Sequence, residues 1–151
     1  MFFKQKPKAF FNAEQSKAIT QAIEQAEQKT SGEIRIYIEQ RCRFVNAMDR
    51  AIELFNTLNI YKTKQRNGVL VYLATKDKQL AVCGDEGIHT RVGDAFWNNA
   101  VQKMIQDFSK SNYTEGLINI ILQIGETLQQ QFPYDKSNDQ NELSNDIVYG
   151  K

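Results

Sequence analysis

Asp85, Glu86 and Asp94 stand close together in the chain, and Asn67 and Glu33 each sit just ahead of an apolar run. The acids Asp85 and Glu86 lie in Gly84-Asp85-Glu86-Gly87-Ile88-His89-Thr90-Arg91-Val92-Gly93, where three of ten residues are glycine, and Asp94 follows directly. Carboxylates gathered in one place repel one another unless they are protonated or neutralised by a cation. Oxygen donors alone suit hard ions such as Ca²⁺ or Mg²⁺. His89 is the only histidine, so no His-rich zinc site can be assembled. Each residue also has a plainer use: Asp94 as a helix N-cap, Asp85 and Glu86 as solvated loop acids, Asn67-Gly68 as a turn. From the residues alone both readings stand.

Other chemistries find less support. Gly84-x-x-Gly87 has the outline of a phosphate cradle, but the two acids between its glycines would repel an anion unless a metal bridged it. Cys83 ends an apolar run, where a buried structural thiol is common. A Cys83/His89 pair stays open, although no third, orienting residue accompanies it. Arg41 and Arg43, and the stretch Lys62 to Arg66, offer charge to phosphates or an acidic protein partner, with solvated loop charge as the simpler account. Phe96-Trp97 fits the core face of a helix better than a base-stacking platform.

Positioning these side chains takes a particular order of elements. Asn12 and Gln15 have capping-box spacing, and Ala18, Ile19, Ala22, Ile23 and Ala26 repeat at helical intervals behind them. Thr30-Ser31-Gly32 stops that helix. Glu33 to Gln40 then alternates, with Ile34, Ile36 and Ile38 on one face and polar residues on the other, which predicts a strand with one wet face near a sheet edge. A helix is expected over 46–58, capped by Asn46, and a fully covered strand over 69–74. Lys76-Asp77 turns the chain into a returning strand, Gln79 to Cys83. The glycine-rich run reads as a loop, Asp94 as the cap of a helix through Phe108, and Tyr113 to Gln131 as the last helix. Residues 1–133 form one domain on this reading, and 134–151 form a polar linker and tail able to dock on it.

The strands 33–40 and 68–74, joined by a helix, make a βαβ unit and must run parallel. One mixed sheet with helices on both faces, an α/β sandwich, is the natural packing. The hairpin register pairs Gly68 with Asp85, so Asn67, Asp85 and Glu86 emerge at one end of the sheet, together with Ser31 to Glu33. Acidic oxygens from distant segments therefore converge there.

The 151 residues suit one core rather than two full domains. Lys+Arg 19 against Asp+Glu 18 removes the basic footprint of a nucleic-acid binder. No apolar run approaches the roughly 18 residues that cross a bilayer, and Met1 to Phe11 does not read as a secretory signal. Two cysteines are too few for a disulfide framework, so a cytoplasmic setting is expected.

Taken in succession, Ser31-Gly32-Glu33-Ile34-Arg35-Ile36, Asn67-Gly-Val-Leu-Val-Tyr-Leu-Ala74, Cys83-Gly-Asp-Glu-Gly-Ile88, Val92-Gly-Asp94 and Tyr113-Thr-Glu-Gly-Leu117 resemble the TPM domain family, the thylakoid-lumen acid phosphatase-like domain. The chain is most similar to its short soluble bacterial members. The resemblance implies a three-layer α/β/α sandwich that binds a divalent cation, calcium before magnesium, at the acidic end of the sheet. Asp85 and Asp94 match the family's acidic positions best and Asn67 its Asn-Gly, with Glu86 assisting. A regulatory or partner-binding role is expected, because no nucleophile–base pair stands out. Plant relatives suggest the alternative, a metal-assisted acid phosphatase.

Overall fold

The computed structural model describes residues 10–43, 46–134 and 143–150. Most of the amino-terminal stretch and of the expected polar linker lies outside these residues. Helix α1, Ala13–Glu27, begins with the capping box: Asn12 Oδ1 accepts the Gln15 N–H at 2.8 Å, and Gln15 Oε1 accepts the Asn12 N–H at 3.0 Å. Its Ile19, Ala22, Ile23 and Ala26 are buried. Strand β1 is Glu33–Glu39, helix α2 Ala47–Thr57, strand β2 Gly68–Ala74 and strand β3 Gln79–Gly84. Helices α3, Glu86–Ser109, and α4, Tyr113–Gln131, follow, and a short strand β4, Val148–Tyr149, ends the described chain.

The sheet order is β3-β2-β1-β4. Strands β1 and β2 are parallel with Glu33 beside Gly68, as the βαβ unit requires, and β2 and β3 are antiparallel with Val69 beside Gly84. Continuing that register, the Asp85 N–H donates to Gly68 O at 2.9 Å. Helices α1, α3 and α4 bury Ile34, Ile36, Ile38, Val69, Val71 and Val82 on one face. Helix α2 covers Leu70, Tyr72 and Ala81 on the other, which completes the α/β/α sandwich.

Two local expectations change. The glycine-rich run is helical from Glu86, because Asp85 rather than Asp94 supplies the first N-cap, and Ile88 and Val92 turn into the core one helical turn apart. Only Gly93 interrupts the helix, at φ 76° and ψ 174°, a conformation open essentially to glycine alone. The polar face of β1 is not simply wet. Glu39 is buried against Arg50, at 2.8 and 3.0 Å, and the Tyr72 hydroxyl, while Glu33 accepts the Leu143 N–H at 2.7 Å. Residues 143–150 thus lie along β1, with Tyr37 and Ile38 beside Val148 and Tyr149.

Candidate functional site

The starts of β1 and β2 and the end of β3 share one end of the sheet, and the loop before β2 leans across it. This loop is tight: the Arg66 N–H donates to Thr63 O at 3.2 Å, the Asn67 N–H to Thr63 Oγ1 at 3.2 Å, and Arg66 takes a left-handed φ of 51°. Extending the Gly68–Asp85 register by two residues sets Arg66 against Gly87, and the Gly87 N–H does donate to Arg66 O at 2.8 Å. A Cβ at residue 87 would collide with the carbonyl oxygens of Gln65 and Arg66, so glycine is what lets the loop touch the first turn of α3.

Asp85 is the buried acid of the site, its side chain 4% exposed. Arg66 grips it with a two-pronged pair, Nε to Oδ2 at 2.7 Å and Nη2 to Oδ1 at 2.9 Å, and reaches Glu86 Oε1 with Nη1 at 3.1 Å. Oδ1 also accepts the Glu86 N–H at 2.7 Å, where the amino end of the helix favours negative charge. The bonds to Asp85, ahead of the opposing effect of desolvation, raise the Arg66 pKa above its ordinary value.

Asn67 stands at the same sheet end, but its Nδ2 donates to Ser31 Oγ at 3.1 Å, which turns the side chain towards β1. Its Oδ1 is buried and has no hydrogen-bond partner among the described residues. Asp94 is not drawn in. Its side chain is 88% exposed and meets His89 Nε2 at 3.4 Å, while His89 Nδ1 accepts the Trp97 Nε1–H at 3.0 Å. The structure therefore unites Asp85 and Glu86 beneath Arg66, keeps Asn67 at the same sheet end but on Ser31, and leaves Asp94 apart. Among the described residues no three His, Cys, Asp or Glu side chains gather in a way that could hold a metal.

The oxygen donors at this sheet end are the Asp85 carboxylate, held by Arg66, the exposed Glu86 carboxylate and the buried Asn67 oxygen. A Cys83–His89 couple does not form, since His89 is engaged by Trp97 and Asp94. Burial, with the charge of Asp85 adding to it, pushes the Cys83 thiol up to about 11. The two basic stretches are also separated. Lys62 to Arg66 flank the acidic end, whereas Arg41 and Arg43 lie past the far end of β1, where Arg41 meets Asp77 at 3.3 Å.

The TPM domain profile matches residues 5–127, most of the chain. The chain belongs to the TPM domain family. Among solved structures, this TPM domain is similar to the BA42 protein of the psychrophilic bacterium Bizionia argentinensis, at 39% identity and a TM-score of 0.87 over 96% of this chain and 99% of that one. The N-terminal domain of a protein from P. gingivalis shares the fold at 17% identity and a TM-score of 0.67, covering 82% of this chain and 80% of that one. The N-terminal domain of the cg2496 protein from Corynebacterium glutamicum does so at 12% identity and 0.62, covering 95% and 93%. A search of the curated proteins finds no match. No helix among the described residues is long and apolar enough to cross a membrane.

Proposed function

We propose that this TPM domain binds a divalent cation, Ca²⁺ before Mg²⁺, through Asp85 with Glu86 and Asn67, and serves a regulatory or partner-binding role in the cytoplasm. The observation that carries this reading is the burial of Asp85 beneath a counter-charge that is itself partly exposed. A carboxylate 4% exposed needs a positive partner, and the one present belongs to a side chain 43% exposed. Asp94 joins the set only by leaving His89. Cys42 and Cys83 are not joined in a disulfide, which suits a reducing compartment.

Thermal unfolding tests the reading. An ion that binds only the folded chain stabilises it by about 2.7 kcal/mol at a hundredfold excess over Kd. Millimolar Ca²⁺ should therefore raise Tm by several degrees, and Asp85→Asn should abolish the rise. An identical melting curve with Ca²⁺ and with chelator sinks the proposal.

A further inference from the structure

We infer that the outer edge of β1 is a docking site for an extended strand of a partner protein, which this chain's own tail, residues 143–150, occupies as a stand-in. This goes beyond the cation reading above and does not depend on it. Strand β1 bonds to β2 through odd-numbered residues: the Glu33 N–H donates to Asn67 O at 3.4 Å, and Glu39 O accepts the Thr75 N–H at 2.8 Å. The backbone groups of Ile34, Ile36 and Ile38 therefore face the other way. Glu27 Oε2 takes the Ile34 N–H at 2.8 Å. The tail takes the positions beyond it, with Ile38 O accepting the Gly150 N–H at 2.7 Å and Tyr37 and Ile38 beside Val148 and Tyr149. The TPM profile stops at residue 127, so the span shared with the family leaves β1 an edge strand, and its cover lies beyond that span. An uncovered edge is a ready template for pairing with another chain.

The tail shows what the edge accepts and how lightly it is held. It runs parallel to β1, and its ladder is two residues long. Leu143 packs on the α2 side of the sheet and Ile147 on the other side, both partly buried. The Leu143 N–H on Glu33 Oε1 and the Gly150 N–H on Ile38 O, each at 2.7 Å, fasten the two ends. Seating the tail also carries a cost, because Asn145 Oδ1 is buried with no hydrogen-bond partner among the described residues. No residue from 143 to 150 is fully buried, whereas Ile34, Ile36 and Ile38 are. A strand that keeps the aliphatic anchors without burying an unsatisfied amide would fit better than the tail does. Gly150 adds selectivity, since a Cβ there would collide with the Tyr37 hydroxyl and Glu39 Cβ. The partner strand runs parallel to β1, with aliphatic residues four apart and a glycine three beyond the second. Strand addition of this kind draws affinity from main-chain bonds and selectivity from such seats. A tethered competitor acts at about millimolar effective concentration. The partner's apparent affinity therefore falls with the fraction of molecules in which the tail is seated.

The test is an amide-NMR titration in chelator, which removes any part played by a cation. The probe is a synthetic peptide of residues 143–150, and a control peptide carries valine in place of its glycine. Titrated proteins are the full-length wild type and two variants that unseat the tail, Ile147→Asp and Gly150→Val. Both variants should stay folded with free tail resonances, and the peptide should shift the Ile36 and Ile38 amides. The wild type should bind it at least tenfold more weakly than the variants, because its own tail competes. The control peptide should also bind at least tenfold more weakly. Loss of the whole fold in both variants makes the tail a structural strand and overturns the inference. A tail that stays seated in both variants overturns it too, as does a free tail beside a β1 that ignores the peptide. Equal binding by wild type and variants places the peptide elsewhere and has the same result. A wild type that dimerises through exchanged tails gives the edge to a second copy and overturns the partner assignment.

Discussion

Glu27 closes an edge of the sheet with a side chain. Its Oε2 accepts the Ile34 N–H at 2.8 Å, on the side of β1 where Ile38 O accepts the Gly150 N–H at 2.7 Å. Burial raises the Glu27 carboxyl to about 8, opposed by the bond from Ile34 and helped by the charges of Glu33 and Glu24. A raised carboxyl binds its proton more tightly when folded. Its contribution to stability is complete below the unfolded value of about 4.5 and is lost as pH rises through about 8. Urea midpoints between pH 5 and pH 8 should therefore fall in the wild type, and the fall should be shallower in Glu27→Gln. Parallel profiles for the two proteins would refute this assignment. Glu27 was invisible in the sequence because a Glu near the end of an amphipathic helix looks solvated. What buries it is the return of β1 past the helix end.

At the scale of elements, the hairpin and the parallel pair were legible because alternation and a short turn fix register to the residue, and the convergence of Asn67, Asp85 and Glu86 followed from it. The helical start of α3 was not read, since two glycines around two acids look like a loop, although the spacing of Ile88 and Val92 was helical. Arg66 was missed as a partner of Asp85 because it closes a basic stretch that reads as solvent-facing. Two further steps of the same register, to Gly87, would have found it. Gly87 gives a prediction at this scale. Gly87→Ala should cost on the order of 1–3 kcal/mol by overpacking against the loop carbonyls. Chemical denaturation measures the loss. An unchanged midpoint would show that the loop does not rest on residue 87.

For the whole molecule, the structure separates charge along the strands. The acidic end carries Asp85 and Glu86 under Arg66, while the far end carries Arg41, Arg43, Arg50 and buried Glu39. One continuous basic patch drawn from both stretches is ruled out by that geometry, which composition alone could not reveal. A helix–helix seam joins the first and last helices. Gly125 lies against Ala26, Gly32 lies against Leu128, and the single Thr30 O–H is shared between Leu128 O and Phe132 O, at 3.0 and 2.5 Å. Gly125→Val should split α1 from α4, lowering stability by about 1–3 kcal/mol through overpacking. In stopped-flow experiments the loss should appear mainly as faster unfolding, and a variant that slows only refolding would contradict this.

The seam also sets the order in which the molecule can be made. Helix α1 has little to pack on until α4 exists, about a hundred residues later in synthesis, so its apolar stripe of Ile19 and Ile23 must wait uncovered. Closing so long a loop before any contact rewards it makes folding slow compared with a helical bundle of the same size. The capping box at Asn12 acquires a second meaning here. By favouring the opening turn of the first helix, it lowers the cost of ordering those isoleucines when α4 docks.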